Sequence, residues 1–311
     1  MNIKYLFRRS SFCLLLLFFF PVSCFAWEPT RADLEEAFLL WASPQAEYSG
    51  RPLDEAYAIL TADSAATAQI LPKFLATPSG SIRDKILTMC ENLGGGFVGP
   101  AFRPHADPDS PNLPLVMYCL SRAHDTESLS IIISHLKHPR PAIRSTAAMS
   151  LGYLGQAAAV GDLIQTLRAD TFAAVRKSAV FAIGQCLDTS TVTDSALDAV
   201  IAALGDDFFS VRFNAVRALA RWDDPAVRRL MARFDMMDDT GRFGALQAMG
   251  KARTELGRPF LEKISADTTS PLTVRGSALK AMLERKWTPT DTDLADLRET
   301  PIGRGLFGLI R

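Results

Sequence analysis

Histidine is scarce in this chain: of 311 residues only His105, His124, His135 and His138 are histidines, and none precedes a glutamate. A zinc helix of the His-Glu-x-x-His kind is therefore excluded. No Gly-x-Ser-x-Gly turn, Walker loop or Cys-x-x-Cys pair occurs, which removes the commonest hydrolase, nucleotide-binding and thiol-redox signatures. An excess of one charge is also missing. The 34 Lys and Arg balance 34 Asp and Glu, so no net field marks the chain as a nucleic-acid binder. Aromatic residues make up 9% of the chain. Long apolar runs are reduced to a single one near the N-terminus, and cysteine to five.

That one run belongs to a segment with three parts: the basic residues Lys4, Arg8 and Arg9, the apolar stretch 13–20, and small residues at 23–26 after Pro21. This is the pattern of a secretory signal, and 11–26 is short of the ~20 apolar residues that a spanning helix needs. Cleavage after Ala26 is the leading expectation, giving a periplasmic or secreted protein. A second reading takes Val22-Ser23-Cys24 as similar to the lipobox of bacterial lipoproteins, with Cys24 lipidated at an outer surface. An uncleaved anchor is the third. Removing the segment takes three basic residues away and leaves 31 against 34 acidic. Cys90, Cys119 and Cys186 then remain; Cys90 and Cys119 could pair in an oxidising compartment or stay unpaired, whereas Cys186 reads as a small buried hydrophobe.

What the chain does have is a repeat. An apolar residue, Arg, two variable residues and Ala recur at Ile143-Arg144, Val175-Arg176, Val211-Arg212 and Val274-Arg275, with Gly241 before Arg242 in the fourth of five copies. The Arg residues are 32, 36, 30 and 33 positions apart, the period of a solenoid of two-helix units. A second apolar stripe precedes each motif, for example Leu163, Ile164 and Leu167, or Val200, Ile201 and Leu204. Spacings of three and four place each stripe on one helix face. Turns rich in Asp, Pro, Thr and Ser separate stripe from motif. The fold class expected is all-α: an α-solenoid of helix-turn-helix units that bury one another's stripes.

At 174–184 and 143–152 the run resembles HEAT repeats, in particular those first noted in phycobilin lyase subunits, whose pattern is Val-Arg-x-x-Ala-x-x-Ala-Leu-Gly. Ala220 and Leu283 stand where that pattern has Gly. The resemblance implies a solenoid with an extended binding surface. Some HEAT-like proteins resemble deoxyhypusine hydroxylase, with di-iron held by His-Glu pairs; the absence of such pairs sets that activity aside. The lyases act inside the cell, whereas this chain carries an export signal.

Five segments follow: a signal peptide at 1–26, an N-terminal helical region of degenerate repeats at 27–93, a Gly/Pro-rich loop at 94–114, the repeat array at 115–286, and a C-terminal cap with an apolar tail at 287–311. In the N-terminal region Thr30 caps a helix, and Ser81-Ile82-Arg83 echoes the motif. The loop has three successive Gly and five Pro. Its His105, Asp107 and Asp109 lack further nominated ligands, so a solvated loop is favoured over a metal site. The tail, apolar at Ile302, Leu306, Phe307, Leu309 and Ile310, covers the solenoid end or docks on a membrane or partner.

The five Arg of the motif form either an anion-binding ladder or a structural one. Asp170 and Asp206 lie six residues before Arg176 and Arg212, where each could take a two-pronged guanidinium bond, so the structural ladder of Arg144, Arg176, Arg212, Arg242 and Arg275 is the reading taken. The concave face is expected on the stripe helices, with His135, Gln165, Arg229, Arg233 and Lys263 as its polar contacts. Arg229 and Arg233 should face solvent, because Leu230 and Phe234 supply that helix's apolar side. The function expected is exported, non-catalytic scaffolding of a protein or peptide partner, with neither cofactor nor nucleic acid. The alternative is an accessory subunit of a cofactor- or chromophore-handling enzyme, lyase-like by resemblance alone.

Overall fold

The computed structural model describes residues 28–43, 51–77 and 79–287; the signal segment and the apolar tail lie outside them. Among the described residues there are sixteen α-helices and no strand. The N-terminal region holds α1 (Arg31–Trp41), α2 (Arg51–Ala62), α3 (Ser64–Ile70) and α4 (Gly80–Leu93). Thr30 caps α1 as expected, in a reciprocal box with Asp33. That arrangement satisfies donors a helix start would otherwise leave bare.

Next come α5 (Gly95–Phe102) and α6 (Leu113–Arg122), then five stripe and motif pairs. The stripe helices are α7 (Leu129–Ser134), α9 (Val160–Ala169), α11 (Asp194–Ala202), α13 (Asp223–Arg233) and α15 (Arg258–Ala266). Their motif partners are α8 (Pro141–Leu154), α10 (Ala173–Cys186), α12 (Phe209–Arg221), α14 (Asp239–Lys251) and α16 (Leu272–Glu284). Each stripe packs inward as the period requires: Val160, Leu163, Ile164 and Leu167 of α9 are all buried.

The two layers are packed differently. Helices α4, α6, α8, α10, α12, α14 and α16 stack one on the next in an unbroken row, while the stripe helices lean on that row and touch each other sparsely. Small residues set the tight spacing. A Cβ on Gly152 would lie 2.9 Å from the Ala182 Cα of the next unit, and one on Gly184 would lie 2.9 Å from the Ala218 Cβ. Gly in the eighth place after the Arg thus meets Ala in the sixth place of the following unit, so motif helices approach almost backbone to backbone.

The stretch 94–114 is not the loop its composition suggests. Residues Gly95–Phe102 form α5, Arg103–His105 form a 3-10 turn, and Val98, Ala101 and Phe102 are buried. Packing explains the glycines: a Cβ at Gly95 would stand 2.7 Å from the Asp125 Cα, and one at Gly99 would stand 2.6 Å from the Asp125 Oδ1. Close approach to the Asp125 segment, rather than turn formation, is what these positions require. Arg103 then closes the contact with a forked bond to Asp125 at 2.9 and 3.2 Å. His105, Asp107 and Asp109 remain exposed, and the Asp109 amide donates to the Asp107 carboxylate at 3.1 Å.

Candidate partner-binding face

The motif arginines are spent on the fold. In three successive units the guanidinium Nη1 donates to the carbonyls six and five residues back: Arg144 to His138 and Pro139, Arg176 to Asp170 and Thr171, Arg212 to Asp206 and Asp207, all between 2.7 and 3.1 Å. Arg83 reaches the carbonyl six residues back as well, its Nε donating to Thr77 at 3.2 Å, so α4 carries a degenerate copy. Because carbonyls accept, the side chain six places back is free to vary, which is why His138 serves in the first unit.

The carboxylates go elsewhere than expected. Asp170 takes the fork of Arg144 at 2.6 and 3.1 Å, and Asp206 takes that of Arg176 at 2.7 and 3.0 Å. Each Asp therefore serves the Arg of the preceding unit, not its own. Each also accepts its own turn's amide, from Phe172 or Phe208, at 2.9 Å. Burial raises the Asp170 and Asp206 carboxyl pKa values, but the guanidinium fork and the amide outweigh it, and both end below the usual range. Arg212 has no such partner among the described residues; Asp238, in the following turn, caps its own helix at the Gly241 amide, 2.7 Å away. Arg242 holds the Phe234 and Asp235 carbonyls, and Arg275, buried, holds that of Ser265.

The stripe-layer residues do not assemble into one site. His135 is buried at 5% exposure, and its Nε2 has no hydrogen-bond partner among the described residues. Burial, then His138, lowers its pKa, so it is a core side chain rather than a contact. Arg229 and Arg233 do not face free solvent: both bind Asp198 of α11, with three bonds of 2.8 Å. Periodicity places these two opposite Leu230 but is blind to a carboxylate on the neighbouring helix. Gln165 is exposed and lines a groove of about 240 Å³ with Lys137, Asp162 and Asp170. Lys263 is exposed on α15. Cys90 and Cys119 are free, fully buried thiols placed side by side. Burial, reinforced by the hydrogen bond between them, pushes Cys119 well above its ordinary value. Cys186 is buried as expected and donates to the Leu151 carbonyl at 3.5 Å.

Periodic reading overlooked the outer face of the motif helices. Tyr118 of α6, Tyr153 of α8 and Phe181 of α10 form a run of rings at centroid distances of 6.2 and 5.9 Å. Arg122 lies 5.5 Å over Tyr153 and binds Glu91 at 2.6 Å. Tyr118, Arg122, Tyr153 and Glu91 border a groove of about 400 Å³ that also includes Asp84, Leu87 and Thr88 of α4. A second groove, of about 210 Å³, opens between α10 and α12, lined by Phe181, Gln185, Asn214, Arg217 and Arg221. The signal was present in the sequence, as a polar or aromatic residue nine places after each Arg and, in four of the five copies, five places after it. It lacks meaning until the motif helices are known to be neighbours.

A family model for HEAT repeats matches the chain in three overlapping stretches, 105–184, 160–250 and 197–283. The chain belongs to the HEAT-repeat family. None of the curated proteins matches it in sequence. Among solved structures, the chain is similar to the complex of CpcE and CpcF of phycocyanin lyase from Nostoc sp. PCC7120, with 17% identity, 93% of this chain and 98% of that chain covered, and a TM-score of 0.35. It is also similar to a designed armadillo repeat protein in complex with the peptide (KR)4, with 17% identity over 82% of this chain and 99% of that one, at a TM-score of 0.32. The HEAT match begins in the 3-10 turn after α5 and ends in α16, the span over which motif and stripe helices alternate.

Proposed function

We propose that this HEAT-repeat protein is an exported, non-catalytic scaffold that holds an extended protein segment along the outer face of its motif helices. The observation that carries the reading is the pair of grooves at Tyr118-Arg122-Tyr153 and Phe181-Arg217-Arg221 on consecutive helices of one layer. Curvature supports the choice of layer. In a two-layer stack, the layer whose helices are closest together lies on the inside of the curve, and here the Gly-to-Ala contacts shorten the motif row. Solenoids receive partners on such concave faces, so the expected contacts move from the stripe helices to this row. Aromatic rings and Arg are the side chains that most often anchor protein interfaces.

A photocrosslinking residue placed at Tyr153, and separately at Lys263 on the opposite layer, tests this in the native host. Adducts should form from Tyr153 and not from Lys263. Adducts from Lys263 alone would overturn the assignment of the face.

Export is supported by the basic head, apolar run and small-residue site of residues 1–26. It also bears on the thiols, because in an oxidising compartment the adjacent Cys90 and Cys119 can pair, and we propose that they do. Protein taken from that compartment and denatured without reductant should then titrate one thiol, Cys186. Three thiols, the number the described chain holds when reduced, would overturn the pairing.

A further inference from the structure

We infer that the groove between α10 and α12 is a carboxylate-binding site, and that the partner segment seated there carries acidic side chains alternating with apolar ones. This rests on the proposed function and adds the chemistry of the partner.

The first observation is a difference between arginines. Arg103, Arg122, Arg144, Arg176, Arg229 and Arg233 each hold a carboxylate within 3.2 Å. Arg217 and Arg221, one turn apart on α12, hold none among the described residues. Arg221 donates to the Gln185 side-chain oxygen at 2.9 Å, and Arg217 lies 5.9 Å over the Phe213 ring. The Asp188 carboxylate, in the turn that follows α10, is already taken by Ser190 and Thr191 of that turn. Two oriented guanidinium groups thus point into a groove that contains no acid. Two such forks suit carboxylate oxygens and favour them over a neutral amide.

The second observation is what flanks them. Phe213 is 48% exposed and Phe209 is 70% exposed, their rings 5.9 Å apart, and Phe181 forms the other wall. Exposed rings beside cations that hold no carboxylate call for apolar side chains beside anions. In an extended segment successive side chains point to opposite sides, so alternation is the pattern that presents both.

Charge along the layer selects a protein over a nucleic acid. The groove between α4, α6 and α8 carries Asp84 and Glu91, which would repel a uniform polyanion laid along the same row. An extended peptide can change sign along its length, and a phosphate backbone cannot.

The test uses a fluorescein-labelled peptide alternating Glu and Tyr, its counterpart alternating Gln and Tyr, and a single-stranded DNA of equal length, read by anisotropy on the full mature chain. The Glu peptide should bind roughly tenfold more tightly than the Gln peptide, the ratio expected for charge-assisted over neutral bonds. The preference should shrink as salt is raised. The doubly substituted Arg217→Gln, Arg221→Gln protein should lose the preference and melt close to the wild type, because the one bond to another element that is lost, from Arg221 to Gln185, is exposed. Equal binding of the two peptides overturns the inference and leaves the scaffold reading standing. So does tighter binding of the DNA, or a preference that survives both substitutions. Failure of the Glu peptide to bind at all also overturns it, and the crosslink from Tyr153 then decides the scaffold reading separately.

Discussion

Trp222→Ala should lower stability by about 3 to 5 kcal/mol, the range for deleting a large side chain from a packed core. Trp222 is the bulkiest of the fully buried residues, at 0% exposure, and its Nε1 donates to the Leu187 carbonyl of the preceding unit at 3.1 Å. It is also the one residue between α12 and α13, followed at once by Asp223 in a left-handed conformation of φ 55°. The indole therefore plugs a helix junction that has no loop to absorb a cavity. Trp222→Phe keeps most of the packing but leaves the Leu187 carbonyl bare, so about 1 to 2 kcal/mol should be lost. Because each unit of a solenoid depends on its neighbours, hydrogen exchange in the Ala variant should rise first in α10 and α12. A midpoint for Trp222→Ala within about 1 kcal/mol of the wild type would show that the junction is not where the array is held.

Arg176→Ala and Arg212→Ala look equivalent in the repeat and should differ in urea melts. Arg176 bridges two units through Asp206 with side chains only 16% and 10% exposed, and it clamps the turn carbonyls as well. Its loss strands a buried carboxylate and should cost about 3 kcal/mol. Arg212 holds only carbonyls, and its loss should cost about 1 to 2 kcal/mol. Acid should bring the two together. The Asp206 pKa is lowered from 3.8 in the folded protein, so its contribution is complete above that value and is lost as the pH falls through the depressed one. The gap between wild type and Arg176→Ala should accordingly narrow below about pH 4 to the share of the carbonyl clamp, while the gap for Arg212→Ala changes little. Equal losses for the two variants at neutral pH would mean that the forked pair adds nothing to the carbonyl clamp.

The stranded partner of Arg176 shows why the site was harder to read than the fold. The motif arginines and the alanines three and six places on are local, and the helical period alone puts them on a buried face. The unit, its length and the all-α solenoid follow from that, and Arg83 extends it into α4. Residue type alone also shows Asp170 and Asp206 to be guanidinium acceptors. Which guanidinium each accepts is set by how one unit stacks on the next, a distance of about thirty residues along the chain that no local period encodes.

Three further features were decided by tertiary packing. Composition makes 94–114 a loop, but contact with Asp125 stabilises α5 there, and glycine is needed because no Cβ fits. Hydrophobic period places Arg229 and Arg233 toward water, and Asp198 on the adjacent helix then captures them. Finally, the proposed binding face depends on which layer is the tighter one. Side-chain pattern alone is symmetric between two amphipathic helices that share a core. The Gly152 and Gly184 contacts with the following unit bring α8, α10 and α12 close enough for Tyr153, Phe181, Arg217 and Arg221 to form one surface.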